Sequence, residues 1–125
     1  MLRTESSRVT LNHCQFEDIL DSPVIDATES EFQVKNTTFV RCIGLYGADS
    51  TFYIYNSSFV EGKSSLYIYS GTMIIDTCYF FNNQNATHIE YGTLNISNSI
   101  FESNTMVNNM LILSYCVEYS DKCWC

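Results

Sequence analysis

"FYIYNSSF", Phe52–Phe59, is the stretch on which the fold turns. Large and polar residues alternate up to an Asn-Ser pair, and a large aromatic follows. Alternation at period two marks a strand with one buried face, and Asn-Ser is turn chemistry. The phrase recurs. Aligned on its last residue, the chain also carries "VTLNHCQF", "FQVKNTTF", "MIIDTCYF" and "LNISNSIF". The register residues Phe16, Phe39, Phe59, Phe80 and Phe101 lie 23, 20, 21 and 21 residues apart.

The columns of this register are consistent. Seven places before the Phe stand Val9, Phe32, Phe52, Met73 and Leu94, and five places before stand Leu11, Val34, Ile54, Ile75 and Ile96. Between them lie Thr10, Gln33, Tyr53, Ile74 and Asn95, mostly polar. Two places before the Phe are the small Cys14, Thr37, Ser57, Cys78 and Ser99. A second alternating segment separates the octets: "VIDA" from Val24, "GLYGA" from Gly44, "SLYIYS" from Ser65, "THIEYG" from Thr87 and "NMLILS" from Asn109. Ser30, Ser50, Gly71 and Gly92 follow as turn residues.

Each repeat thus holds two short strands, a turn, and a bend near the Phe. A period of about 21 residues with three short faces is one coil of a parallel β-helix. Matching residues of successive coils then stack about 4.8 Å apart. The five Phe form a core ladder, each contributing about 1.5–3 kcal/mol on burial. A leucine-rich repeat would need its own Leu and Asn spacing, which is absent. A β-sandwich has locally compatible turn spacing but no reason to keep five octets in column register.

The phrase IxIxNSxFxxN resembles the right-handed parallel β-helix repeats of pectate-lyase-like proteins. It is most similar to the repeats of polymorphic outer-membrane proteins and of large protist cell-surface proteins. Phe80 and Phe101 keep the F-x-x-N element with Asn83 and Asn104, whereas Ile19, Cys42 and Gly62 follow the other three. The resemblance implies an all-β, right-handed parallel β-helix of about five to six coils. It covers residues 8–115, leaving 116–125 as a Cys-rich tail or the start of a further module. Within this superfamily, glycan-cleaving members use clustered carboxylates, Ca²⁺ and a catalytic Arg or Lys.

Composition narrows the function. The chain has 125 residues, sized for one domain, and a net charge of −8 from 14 acids against 6 bases. Nucleic-acid binding needs a basic footprint, so it is not expected. No run reaches the roughly 18–20 apolar residues of a membrane span. "MLRTESSRVT" has no apolar signal core, so Met1 marks a true start, a mature piece or part of something longer.

Hydrolysis or lyase chemistry needs carboxylates stacked in adjacent coils on one cleft. The column two after the Phe reads Asp18, Arg41, Glu61, Asn82, Ser103, with no adjacent acids. Glu29 with Glu31, and Asp18, Asp21 and Asp26, are placed in loops as a solvated acidic rim; the latter three are also a weak calcium candidate. His13 and His88 fall in different columns. No catalytic residue or cofactor is expected.

Four sequons occur, at Asn36, Asn56, Asn85 and Asn95. Asn36 and Asn56 share a turn column and either stack as an amide ladder or carry glycans; Asn85 and Asn95 are expected to face outward more. Sequons favour a secretory compartment, so Cys116, Cys123 and Cys125 are disulfide candidates ahead of a metal site. Cys14 and Cys78 are expected as buried thiols. Tyr46, Tyr53, Tyr55, Tyr67, Tyr69 and Tyr91 are grouped outward aromatics, suited to contact with sugars or a neighbouring protomer. The sequence therefore points to an extracellular or cell-surface, non-catalytic structural or adhesive rod. Its expected partners are itself, neighbouring surface proteins and glycans. A carbohydrate-active enzyme and a monomeric glycan-binding module are the alternatives.

Overall fold

The computed structural model describes residues 1–105, which contain twelve strands and no helix. Five coils stack into a parallel β-helix of triangular cross-section. Coil 1 is β1 (Leu2–Glu5), β2 (Arg8–Asn12) and β3 (Gln15–Glu17); coil 2 is β4 (Pro23–Thr28), β5 (Glu31–Lys35) and β6 (Thr38–Val40). In coils 3 to 5 the first two faces merge into long bent strands. These are β7 (Ile43–Tyr55), β9 (Ser64–Asp76) and β11 (Asn85–Ser97), followed by β8 (Ser58–Val60), β10 (Tyr79–Phe81) and β12 (Ile100–Glu102). Every ladder is parallel and in the expected register, with Phe39 on Phe59 and Phe59 on Phe80. The bend expected near each Phe is itself a three-residue strand, so face 3 is β3-β6-β8-β10-β12.

The Phe ladder is continuous. Ring centroids are 5.2, 4.7, 4.9 and 4.5 Å apart from Phe16 to Phe101. Phe39, Phe59 and Phe80 are buried; Phe16 and Phe101, at the ends of the described stack, are only half-buried. Each coil closes its neighbour's core, as in other one-dimensional repeats.

Three corners turn each coil. Fifteen non-glycine residues hold positive φ, three per coil, with φ from 46° to 61°. One corner uses Ser6, Glu29, Asp49, Ser70 and Tyr91; the next uses His13, Asn36, Asn56, Thr77 and Asn98; the third uses Asp18, Arg41, Glu61, Asn82 and Ser103. This corrects the sequence expectation: the turn falls one residue before Ser30, Ser50, Gly71 and Gly92. Corner amides donate onward to the following coil, as in Asn36 N–H to Tyr55 O (3.2 Å) and Glu61 N–H to Phe81 O (2.9 Å). A left-handed residue is costly in isolation, and this inter-coil bond offsets the cost.

The residue after each corner points inward and is small for a reason. Thr37, Ser57 and Ser99 donate their hydroxyls to the carbonyl two residues back, at 2.7–2.8 Å. The same oxygens accept a main-chain N–H from the preceding coil, as with Thr37 N–H to Ser57 Oγ (3.2 Å) and Cys78 N–H to Ser99 Oγ (3.0 Å). Ser30 and Ser50 do likewise at the first corner. At the third corner Asn83 accepts from Gly62 N–H (2.8 Å) and donates to Phe59 O (2.9 Å), and Asn104 donates to Phe80 O (2.9 Å). The Asn of F-x-x-N is thus a clamp onto the previous coil.

Candidate functional site

An interior filled by apolar side chains leaves chemistry to the outward residues, which parallel register arranges in columns about 4.8 Å apart. On face 1, Arg3, Asp26, Tyr46, Tyr67 and His88 share one column. Tyr46 and Tyr67 stack at 5.0 Å and 4°, and Tyr67 and His88 at 4.9 Å and 4°. The inner ring faces of this stack are therefore taken up by one another, so Tyr67 offers its edge and hydroxyl rather than a face. Glu90 lies beside it and meets His88 Nε2 at 3.0 Å. The His88 bond, with one from the Tyr67 hydroxyl, holds the Glu90 carboxyl below its usual range. Desolvation and the Glu90 charge push the Tyr67 phenol up. Tyr69 and Tyr91 pack edge-to-face at 5.6 Å and 77°, and Tyr91 is the most exposed aromatic among the described residues at 75%. Tyr53 and Tyr55 lie on face 2, half-buried.

The second corner carries the amide ladder. Asn36 Nδ2 donates to Asn12 Oδ1 at 2.9 Å, and Asn56 Nδ2 donates to Asn36 Oδ1 at 2.7 Å. Both sequon residues are exposed, whereas Asn85 and Asn95 are half-buried in β11. This reverses the order of exposure expected from sequence. The corner lifts Asn36 and Asn56 off the sheet, while a strand position keeps part of the side chain against its neighbours.

The acids are not gathered. Arg41 bonds both Asp18, at 3.0 Å through Nη2, and Glu17, and it approaches Glu61 at 4.0 Å. The Arg41 bond lowers the Asp18 carboxyl. Asp26 is paired on another face with Arg3 at 2.9 Å, and Glu31 with Arg8 at 2.9 Å. Asp26 and Glu31 sit in β4 and β5 rather than in loops. Among the described residues no three His, Cys, Asp or Glu side chains converge to hold a metal ion, so Asp18, Asp21 and Asp26 form no calcium cradle.

Cys14, Cys42 and Cys78 are free thiols. Cys14 and Cys78 stand where Thr37, Ser57 and Ser99 place hydroxyls, and Cys42 stands in the third-corner column of Asn83. Cys42 Sγ donates to Val40 O (3.2 Å) and Cys78 Sγ to Asp76 O (3.3 Å), and Cys14 is half-buried rather than buried. Cys116, Cys123 and Cys125 lie outside the described residues. Among the described residues no helix is long and apolar enough to cross a membrane. No protein-family model, curated protein or solved structure matches the chain.

Proposed function

We infer that the chain is a non-catalytic structural or adhesive β-helix of a cell surface or extracellular coat, N-glycosylated and able to assemble with copies of itself or with neighbouring surface proteins. The observation that carries this is the pairing of outward side chains from coil to coil. The Tyr46–Tyr67–His88 stack, the Asn12–Asn36–Asn56 ladder and the Arg–carboxylate pairs make a stiff, repeated surface. A glycosidase asks for a carboxyl kept protonated near neutrality, and Asp18 and Glu90 are shifted the other way. Within the resemblance to pectate-lyase-like repeats, this reading favours the non-catalytic surface proteins over the glycan-cleaving members.

Intact mass tests the compartment and the surface together. The chain secreted from a eukaryotic host should lose mass on peptide-N-glycosidase treatment, with Asn36 or Asn56 among the occupied sites. An unchanged mass would remove the glycoprotein reading. Electron microscopy at high concentration should show assemblies, and discrete monomers would remove the filament. Turnover of an acidic polysaccharide, lost on Asp18→Ala or Asp26→Ala, would replace the structural reading with an enzymatic one.

A further inference from the structure

On face 2, coils 1 to 3 form a shallow hollow lined by Arg8, Glu31, Gln33, Lys35, Tyr53 and Tyr55. Register explains it. Thr10, Gln33 and Tyr53 share one outward column, and Asn12, Lys35 and Tyr55 share the next. The side chains of Thr10 and Asn12 are short and those of the two tyrosines long, so the surface dips between the Arg8–Glu31 pair and the rings.

This patch gathers uncommitted groups in one place. Many other outward groups bond one another: Arg3 to Asp26, Arg41 to Asp18, Asn56 to Asn36, Tyr79 to Glu102. In the hollow, the Gln33 amide and the Tyr53 and Tyr55 hydroxyls have no hydrogen-bond partner among the described residues. Tyr53 has no ring neighbour there either. Among the described residues Lys35 forms no ion pair, and its ammonium lies 5.9 Å from the Tyr55 ring centre. A concave site with aromatic walls and a few uncommitted polar groups is the usual form of a small-ligand site.

The chemistry selects the ligand. Donors (Lys35, Arg8, the Gln33 NH₂) alternate with acceptors (Glu31, the Gln33 carbonyl) around two phenols that do both. Hydroxyl groups also donate and accept, so a polyhydroxyl ligand satisfies this set. The open Tyr53 ring can lie against the C–H face of a pyranose. Arg8 is neutralised by Glu31 at 2.9 Å, Lys35 is held over the Tyr55 ring as the one net charge of the lining, and a chain of net charge −8 repels polyanions. We propose that this hollow binds a neutral saccharide, which deepens the adhesive reading and rests on it for its biological setting.

The test titrates the chain with maltose, cellobiose, lactose and N,N′-diacetylchitobiose, with digalacturonate as the acidic comparison, followed by amide chemical shifts. At least one neutral disaccharide should give saturable shifts confined to face 2 of coils 1 to 3. Tyr53→Thr and Lys35→Asn install the residues that Thr10 and Asn12 already hold in those columns, so both should fold. Tyr53→Thr should weaken binding about tenfold or more. Tyr79→Ser, on face 3 where Ser58 holds the same column, should leave binding unchanged. No saturable binding by any neutral probe, tighter binding of digalacturonate, or affinity unaltered by Tyr53→Thr would each overturn the proposal. Binding followed by cleavage of the disaccharide would sink the non-catalytic reading and leave the hollow standing as a saccharide site.

Discussion

At the residue scale, the Phe ladder and the inward columns were legible in the sequence because burial needs the same apolar residue at the same place in every coil. The corners were legible only in part: the Asn-Ser turn at Asn56 is a corner, whereas the first corner falls one residue before the expected turn residues. Residues as different as Ser6, Arg41 and Thr77 hold the left-handed conformation, since what secures it is a bond to the next coil and not the side chain. Two expectations follow at this scale. Phe59 is buried between two rings, so Phe59→Ala should cost about 3–5 kcal/mol in urea unfolding. Phe16→Ala, half-buried with one ring neighbour, should cost clearly less; equal costs would deny the ladder its ends. Burial pushes the Cys78 thiol from 9.0 to about 11. A raised folded value favours the neutral form, so its contribution is complete below pH 9.0 and is lost as pH climbs toward about 11. Cys78→Ser, the residue Ser57 and Ser99 place in that column, should flatten this alkaline loss; superimposable profiles would contradict it.

At the element scale, each coil is three faces joined by corners, and at most of them an inward hydroxyl, thiol or amide bonds the main chain. The sequence showed that these positions are small but not that they are bonded. It also showed F-x-x-N at Phe80 and Phe101 without its purpose, because the clamp reaches a carbonyl about one coil earlier in the chain. β1 escaped notice: Leu2 is the one large apolar residue in that strand, too little pattern to call a face. The sequons are legible in the sequence and their exposure is not, since exposure here depends on corner against strand. One element carries a local weakness. Thr87 continues the inward column of Ile25, Leu45 and Leu66, yet its hydroxyl is buried without a partner. Thr87→Val should therefore raise unfolding free energy by about 1 kcal/mol in chemical denaturation, and a loss of stability would mean that the hydroxyl is satisfied after all.

At the scale of the whole molecule, the chain is a stack in which each coil's stability depends on its neighbours. Coil 1 has a neighbour on one described side, and its inward Val9, Leu11 and Phe16 are only half-buried. Amides of β2 and β3 should exchange with deuterium faster than those of β7 and β9, and uniform protection would contradict a one-dimensional stack. The outer surface follows the same logic, with ladders where columns match and a hollow where short and long side chains adjoin. All of this rests on parallel register between coils. The most direct test is a nuclear Overhauser spectrum of the labelled chain. Parallel register predicts contacts from the Phe59 ring to those of both Phe39 and Phe80, with no close Hα–Hα pairs between neighbouring strands. A set of cross-strand Hα–Hα contacts, the mark of antiparallel pairing, would contradict it.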